Sequence, residues 1–97
     1  MAERRVTVAS RVGLHARPAA LFVQAAGKHR AAAPTIAKPG GEPVSARSIL
    51  SVLALDARGG EEVVLTADGD GADAALDDLV AVLSIDHDAA EPGVDGG

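Results

Sequence analysis

Apolar residues fall at i, i+3, i+4 and i+7 twice in this chain, at Ala19, Phe22, Val23, Ala26 and again at Leu76, Leu79, Val80, Leu83. Each set marks one face of a helix that must be covered by something else. What could cover it lies in the short stretches around them. Arg5-Val6-Thr7-Val8-Ala9 alternates polar and apolar, the period of a half-buried strand with Val6 and Val8 facing inward. Thr35-Ile36-Ala37 and Pro43-Val44-Ser45 flank a Pro- and Gly-rich turn and read as a hairpin, with Pro43 confined to a strand start or edge. Glu62 to Ala67 follows Gly59-Gly60 and is the strongest strand pattern of all.

A second, shorter helix is predicted over Ile49 to Ala54, with Ser48 as its N-cap. Ile49, Leu50, Val52, Leu53 and Leu55 surround that helix, and a short surface helix cannot bury every side. Some of these residues are therefore expected to form an exposed docking patch. Gly27 ends the first long helix, and Asp70 with Asp73 gives the last one an acidic start. The order β-α-β-β-α-β-α implies an α+β fold with a small antiparallel sheet and helices on one face. Residues 1-85 are expected to form one domain. Residues 86-97, rich in Pro, Gly and Asp, are expected to be an acidic, disordered tail.

Composition removes several classes of function. There is no cysteine, so disulfides and thiolate chemistry are excluded, and His15, His29 and His87 are too far apart in sequence for zinc-ligand spacing. Neither a metal nor a cofactor is expected. Phe22 is the single aromatic residue and the net charge is −5, which argues against nucleic acid as a partner. No apolar run is long enough to span a bilayer, so a soluble, cytoplasmic protein is expected. The charge is also divided: residues 1-50 hold eight Lys or Arg against two acidic residues, and residues 51-97 hold one Arg against twelve. Such asymmetry suits a basic face that steers acidic partners.

Two motifs fail on their surroundings. Gly69-Asp70-Gly71-Ala72-Asp73-Ala74 fits a dinucleotide fingerprint, but no second parallel strand follows it and its aspartates would repel a pyrophosphate. Asp68-Gly69-Asp70 opens like a calcium loop, yet Ala72, Asp73 and Leu79 occupy positions that need a ligand, a glycine and a bidentate Glu.

The chemistry centres on Gly13-Leu14-His15-Ala16-Arg17-Pro18-Ala19. Pro18 suits a first helical turn, and the amides of Ala16 and Arg17 are then placed to point at a ligand. A helix start carries partial positive charge, so Arg17 is electrostatically misplaced there unless an anion is meant to bind. A positive helix end also disfavours imidazolium, which keeps His15 neutral and nucleophilic.

This motif resembles the HPr family, the histidine phosphocarrier proteins of the phosphoenolpyruvate-dependent sugar phosphotransferase system. Pro43-Val44-Ser45-Ala46-Arg47-Ser48-Ile49-Leu50 and Gly59-Gly60-Glu61-Glu62-Val63 extend the resemblance from about Arg5 to Leu83. It implies an open-faced β-sandwich with a four-stranded antiparallel sheet and three helices. It further implies that His15 is phosphorylated on Nδ1 by phospho-enzyme I and passes the group to IIA components of sugar permeases, with Arg17 holding the phosphoryl oxygens. Ser48 corresponds to the serine modified in many members by a regulatory kinase. Ile49, Leu50 and Leu53, beside Arg47, correspond to the partner-docking surface. The implied protein is a monomeric relay rather than an enzyme, with enzyme I, IIA domains and an HPr serine kinase/phosphorylase or a transcriptional regulator as partners. Val12 replaces a commonly polar residue of that family, and Ser51 and Asp56 replace common glycines.

Overall fold

The structure is a computed structural model and describes residues 1–9, 13–14 and 16–85. Four strands, β1 (Ala2–Thr7), β2 (Thr35–Ala37), β3 (Val44–Ser45) and β4 (Glu62–Ala67), form one antiparallel sheet in the order β1-β4-β2-β3. Three helices, α1 (Ala16–Gly27), α2 (Ile49–Ala54) and α3 (Ala72–Leu83), complete the predicted β-α-β-β-α-β-α order, with one 3₁₀ turn at Arg30–Ala32. The tail predicted from Asp86 lies outside the described residues.

β4 is central because both of its edges are used. Val6 stands opposite Val63 on one side, and Ile36 opposite Leu65 on the other. Alternation then divides the sheet into two faces. Val63, Leu65, Ala67 and Ile36 are buried against the helices, while Glu3, Arg5 and Glu62 lie exposed on the open face. Thr35 and Thr66, directly opposed across β2 and β4, join their hydroxyls by a hydrogen bond. Phe22, Leu76, Leu79, Val8 and Val52 fill the space between sheet and helices. Many of the other core residues are alanines, among them Ala19, Ala26, Ala46 and Ala75, so the backbones pack closely around few bulky side chains. α1 packs against both α3 and α2, and His29 Nε2 lies 2.5 Å from Asp78 Oδ2, tying the end of α1 to α3.

Two local expectations change. β1 begins at Ala2 and ends at Thr7, earlier than the Arg5–Ala9 alternation predicts. The early start is hidden by Arg4, which occupies an inward-facing position and breaks the apolar pattern. Its guanidinium escapes the core by reaching Asp73 of α3 at 3.2 Å and Asp77 at 3.8 Å. Val8 is buried just beyond the strand. The start of α3 also differs: Asp73 lies in its first turn, but the N-cap is Gly71 in the left-handed region at φ 84°, with no side-chain cap.

Candidate functional site

α1 begins at Ala16, so Ala16 and Arg17 belong to the first turn, where amides have no helical carbonyl four residues back. Both residues are exposed, whereas Pro18 and Ala19 turn into the core. The predicted apolar stripe that begins at Ala19 thus turns inward, and Arg17 is exposed at the positive end of the helix. His15 lies outside the described residues, as does Val12.

The segment leading to the helix is held from a distant part of the chain. Leu14 is buried, and its N–H donates to the carbonyl of Ala57 at 2.8 Å. Gly13 has φ 77°, a conformation that strongly favours glycine. It also has no room for a side chain: a Cβ there would lie 2.7 Å from Arg58 Cα and collide with the Ala57 carbonyl oxygen. The loop after α2 is therefore the floor against which the motif is set.

That loop is anchored in turn. Gly60 N–H donates to Val8 O and Val8 N–H to Glu61 O, each at 2.9 Å. Glu61 accepts from the Arg58 amide at 2.8 Å and lies 3.6 Å from Lys38 Nζ. The Arg58 amide first, and Lys38 after it, hold the Glu61 carboxyl below its ordinary value.

α2 supplies the predicted patch. Ser48 is its N-cap, and the Ser48 Oγ accepts from the Ser51 amide at 3.2 Å. Of the apolar residues around this helix, Val52 is fully buried and Leu50 is 77% exposed, with Ile49 and Leu53 more than a third exposed. Arg47 is exposed just before the cap, and its amide donates to Ser45 Oγ at 3.2 Å. Because α1 packs on α2, and the chain leaving α2 lies against Gly13 and Leu14, α2 is a neighbour of the Gly13–Leu14 segment in the fold.

Three contributors escaped the sequence reading. Ala57 and Arg58 approach the motif from more than forty residues away, and no local pattern signals such a contact. Leu21 of α1 is also exposed. Its position off the 19-22-23-26 stripe was the signal available. No group of His, Cys, Asp and Glu among the described residues could hold a metal ion, and no described helix is long and apolar enough to cross a membrane. A cleft of about 450 Å³ between the first residues and the start of α3 lies at the Ala2–Ala67 end of the sheet. Gly13 and Leu14 rest on the loop that is tied to Val8 at the opposite, Thr7–Glu62 end.

Comparison with known proteins agrees along nearly the whole chain. The family described as "PTS HPr component phosphorylation site" matches residues 2–84. The phosphocarrier protein HPr of Streptomyces coelicolor is 54% identical over 84 residues, covering 87% of this chain and 89% of that protein. The HPr-like protein Crh of Bacillus subtilis is 40% identical over 83 residues, covering 86% and 95%. Among solved structures, a phosphocarrier protein HPr from Bacillus anthracis superposes with a TM-score of 0.78 at 39% identity, covering 84% of this chain and 95% of its own.

Proposed function

We propose, since this chain belongs to the HPr family of phosphocarrier proteins of the phosphotransferase system, that His15 accepts a phosphoryl group from phospho-enzyme I and passes it to IIA components of sugar permeases. The observation that carries this reading is the start of α1 at Ala16, with Arg17 exposed in its first turn. A neutral imidazole at that end attacks phosphorus through Nδ1, the donor's bond to phosphorus breaks, and the imidazole proton is released. The product is an anion at the positive end of a helix, beside a guanidinium suited to phosphoryl oxygens. In-line positioning and charge neutralisation are enough for such a transfer, so a relay needs no deep pocket.

Partner docking is assigned to Ile49, Leu50 and Leu53 with Arg47. Residues 1-85 are the carrier domain, residues 86-97 an acidic tail, and the carrier works as a monomer without a cofactor. Mixing the protein with enzyme I and phosphoenolpyruvate should add one phosphoryl group, labile in mild acid and absent from His15→Ala. An unmodified wild-type protein under active enzyme I overturns the proposal.

A second reading adds regulation at Ser48. Its support is the position of the hydroxyl, at the N-cap of α2 and next to Ile49 and Leu50. A phosphate there would add charge beside the apolar patch and repel an acidic partner.

A further inference from the structure

The loop that supports the motif brings a cation with it. The Arg58 backbone touches Gly13, and the Ala57 carbonyl is hydrogen-bonded to Leu14, the residue directly before His15. Two peptide units separate Gly13 from His15, a span of at most about 7.6 Å between Cα atoms. Hydrogen bonds from Gly60 to Val8, from Val8 to Glu61 and from Arg58 to Glu61 hold the loop in that place. Arg58 is thus fixed by its backbone, while its side chain lies at the surface. That side chain is 77% exposed, and its guanidinium pairs with Asp56 at 3.5 Å, itself an exposed residue.

Asp56 is unusual on its own account. It has φ 54°, in the left-handed region where a glycine would sit without strain. What an aspartate adds at that point is a carboxylate within reach of Arg58. Residues held in such conformations concentrate at functional sites. An exposed pair of this kind is weak and easily exchanged for a stronger anion.

We infer that Arg58 is a second phosphoryl-binding cation of the His15 site, with Asp56 as its counter-ion while His15 is unmodified. The inference rests on the phosphocarrier reading. A phosphoryl group carries more charge than a carboxylate and offers three acceptor oxygens to the planar guanidinium fork. Arg58 therefore leaves Asp56 for the phosphoryl group when His15 is charged, and returns when the group departs. Asp56 competes throughout, which keeps the phosphoryl group from being held too tightly to pass on.

The test uses the protein alone, labelled at His15 with potassium phosphoramidate. The imidazole attacks phosphorus, the P–N bond of the reagent breaks, and ammonia leaves with the proton. Phosphorus NMR then follows the titration of the phosphoryl group. Arg58→Ala should raise the proton affinity of that group about two- to tenfold, the scale for losing one exposed cation. Arg58→Lys should stay closer to wild type. Asp56→Asn should lower the proton affinity, by less when Arg58 is already Ala. A labelled Arg58→Ala protein that titrates like wild type overturns the inference, including where its transfer to partners is slowed, since Arg58 would then serve docking only. A wild-type protein that takes no label at His15 overturns the phosphocarrier reading and the inference together.

Discussion

α2 and α3 are both predicted from apolar residues, yet they use them in opposite ways. α3 has twelve residues, and its Ala75, Leu76, Leu79 and Leu83 are all buried against the sheet and α1, with aspartates on the outer face. α2 has six, of which only Val52 is buried, while Leu50 projects almost entirely into solvent. In α3 hydrophobicity stabilises the fold. In α2 a part of it, Leu50 above all with the outer portions of Ile49 and Leu53, stays at the surface after folding, and so it is available to a partner. The contrast extends to the helix starts: α2 has a serine cap whose hydroxyl accepts an amide, whereas α3 begins at a glycine with no side-chain cap.

The sharpest way to break this contrast is to truncate one leucine in each helix. Leu79→Ala empties a fully buried position and should cost about 2–5 kcal/mol in urea denaturation. Leu50→Ala should leave stability within about 0.5 kcal/mol of wild type while raising the KM for phosphoryl transfer to a partner. Equal stability losses at the two positions would erase the distinction.

Gly13→Ala tests whether the motif depends on the loop leaving α2. Strained backbone together with the collision at Ala57 and Arg58 should destabilise the protein by about 1–3 kcal/mol. The variant should also accept phosphoryl groups more slowly, as rapid-quench kinetics would detect. Next in size is Ser48. Ser48→Ala should lower stability by about 1 kcal/mol through loss of the cap, and Ser48→Asp, which can still cap, should restore it. The aspartate should nevertheless weaken partner transfer if the proposed regulation at this position acts through added charge, separating that effect from the structural use of the cap.

The smallest effect is expected at Glu61. Its carboxyl is held below the ordinary value of 4.5 by the Arg58 amide and then by Lys38. A depressed pKa contributes stability that is present above 4.5 and lost as pH falls through the folded-state value. Glu61→Gln should therefore melt slightly below wild type at neutral pH, with the gap closing on acidification below 4.5. A gap that persists in acid would assign the effect to something other than the ionised carboxylate.

What could be read in advance was what neighbouring residues decide among themselves. The stripes of α1 and α3, the hairpin strands around the Gly-rich turn, and Ser48 before α2 all follow from side chains within a few positions of one another. The start of β1 did not, because Arg4 looks polar in sequence and becomes an inward residue only when Asp73 and Asp77 are brought to it by α3. The cap of α3 was missed because Gly71 acts through its backbone conformation and leaves no side-chain signature. Around the candidate site, the helix start near Arg17 and the exposed apolar residues of α2 were legible from helix geometry and amphipathicity. The underside of the motif was not, since Gly13 and Arg58 meet only after the chain has folded.

The central place of β4 also governs the order in which the molecule can come into being. β1 has its sheet partner in β4 alone, and β2 meets only the two-residue β3 before β4 is added. A nascent chain that has not yet delivered Glu62–Ala67 thus has no route to most of its sheet. Gly13 and Leu14, lying against residues that come just before this strand, cannot be set in place early. Loop closure over some fifty-five residues must come first, and its entropic cost is recovered only when both edges of β4 are paired. Carrier competence should consequently appear in one late, cooperative step, leaving no half-built form able to draw phosphoryl groups from the relay.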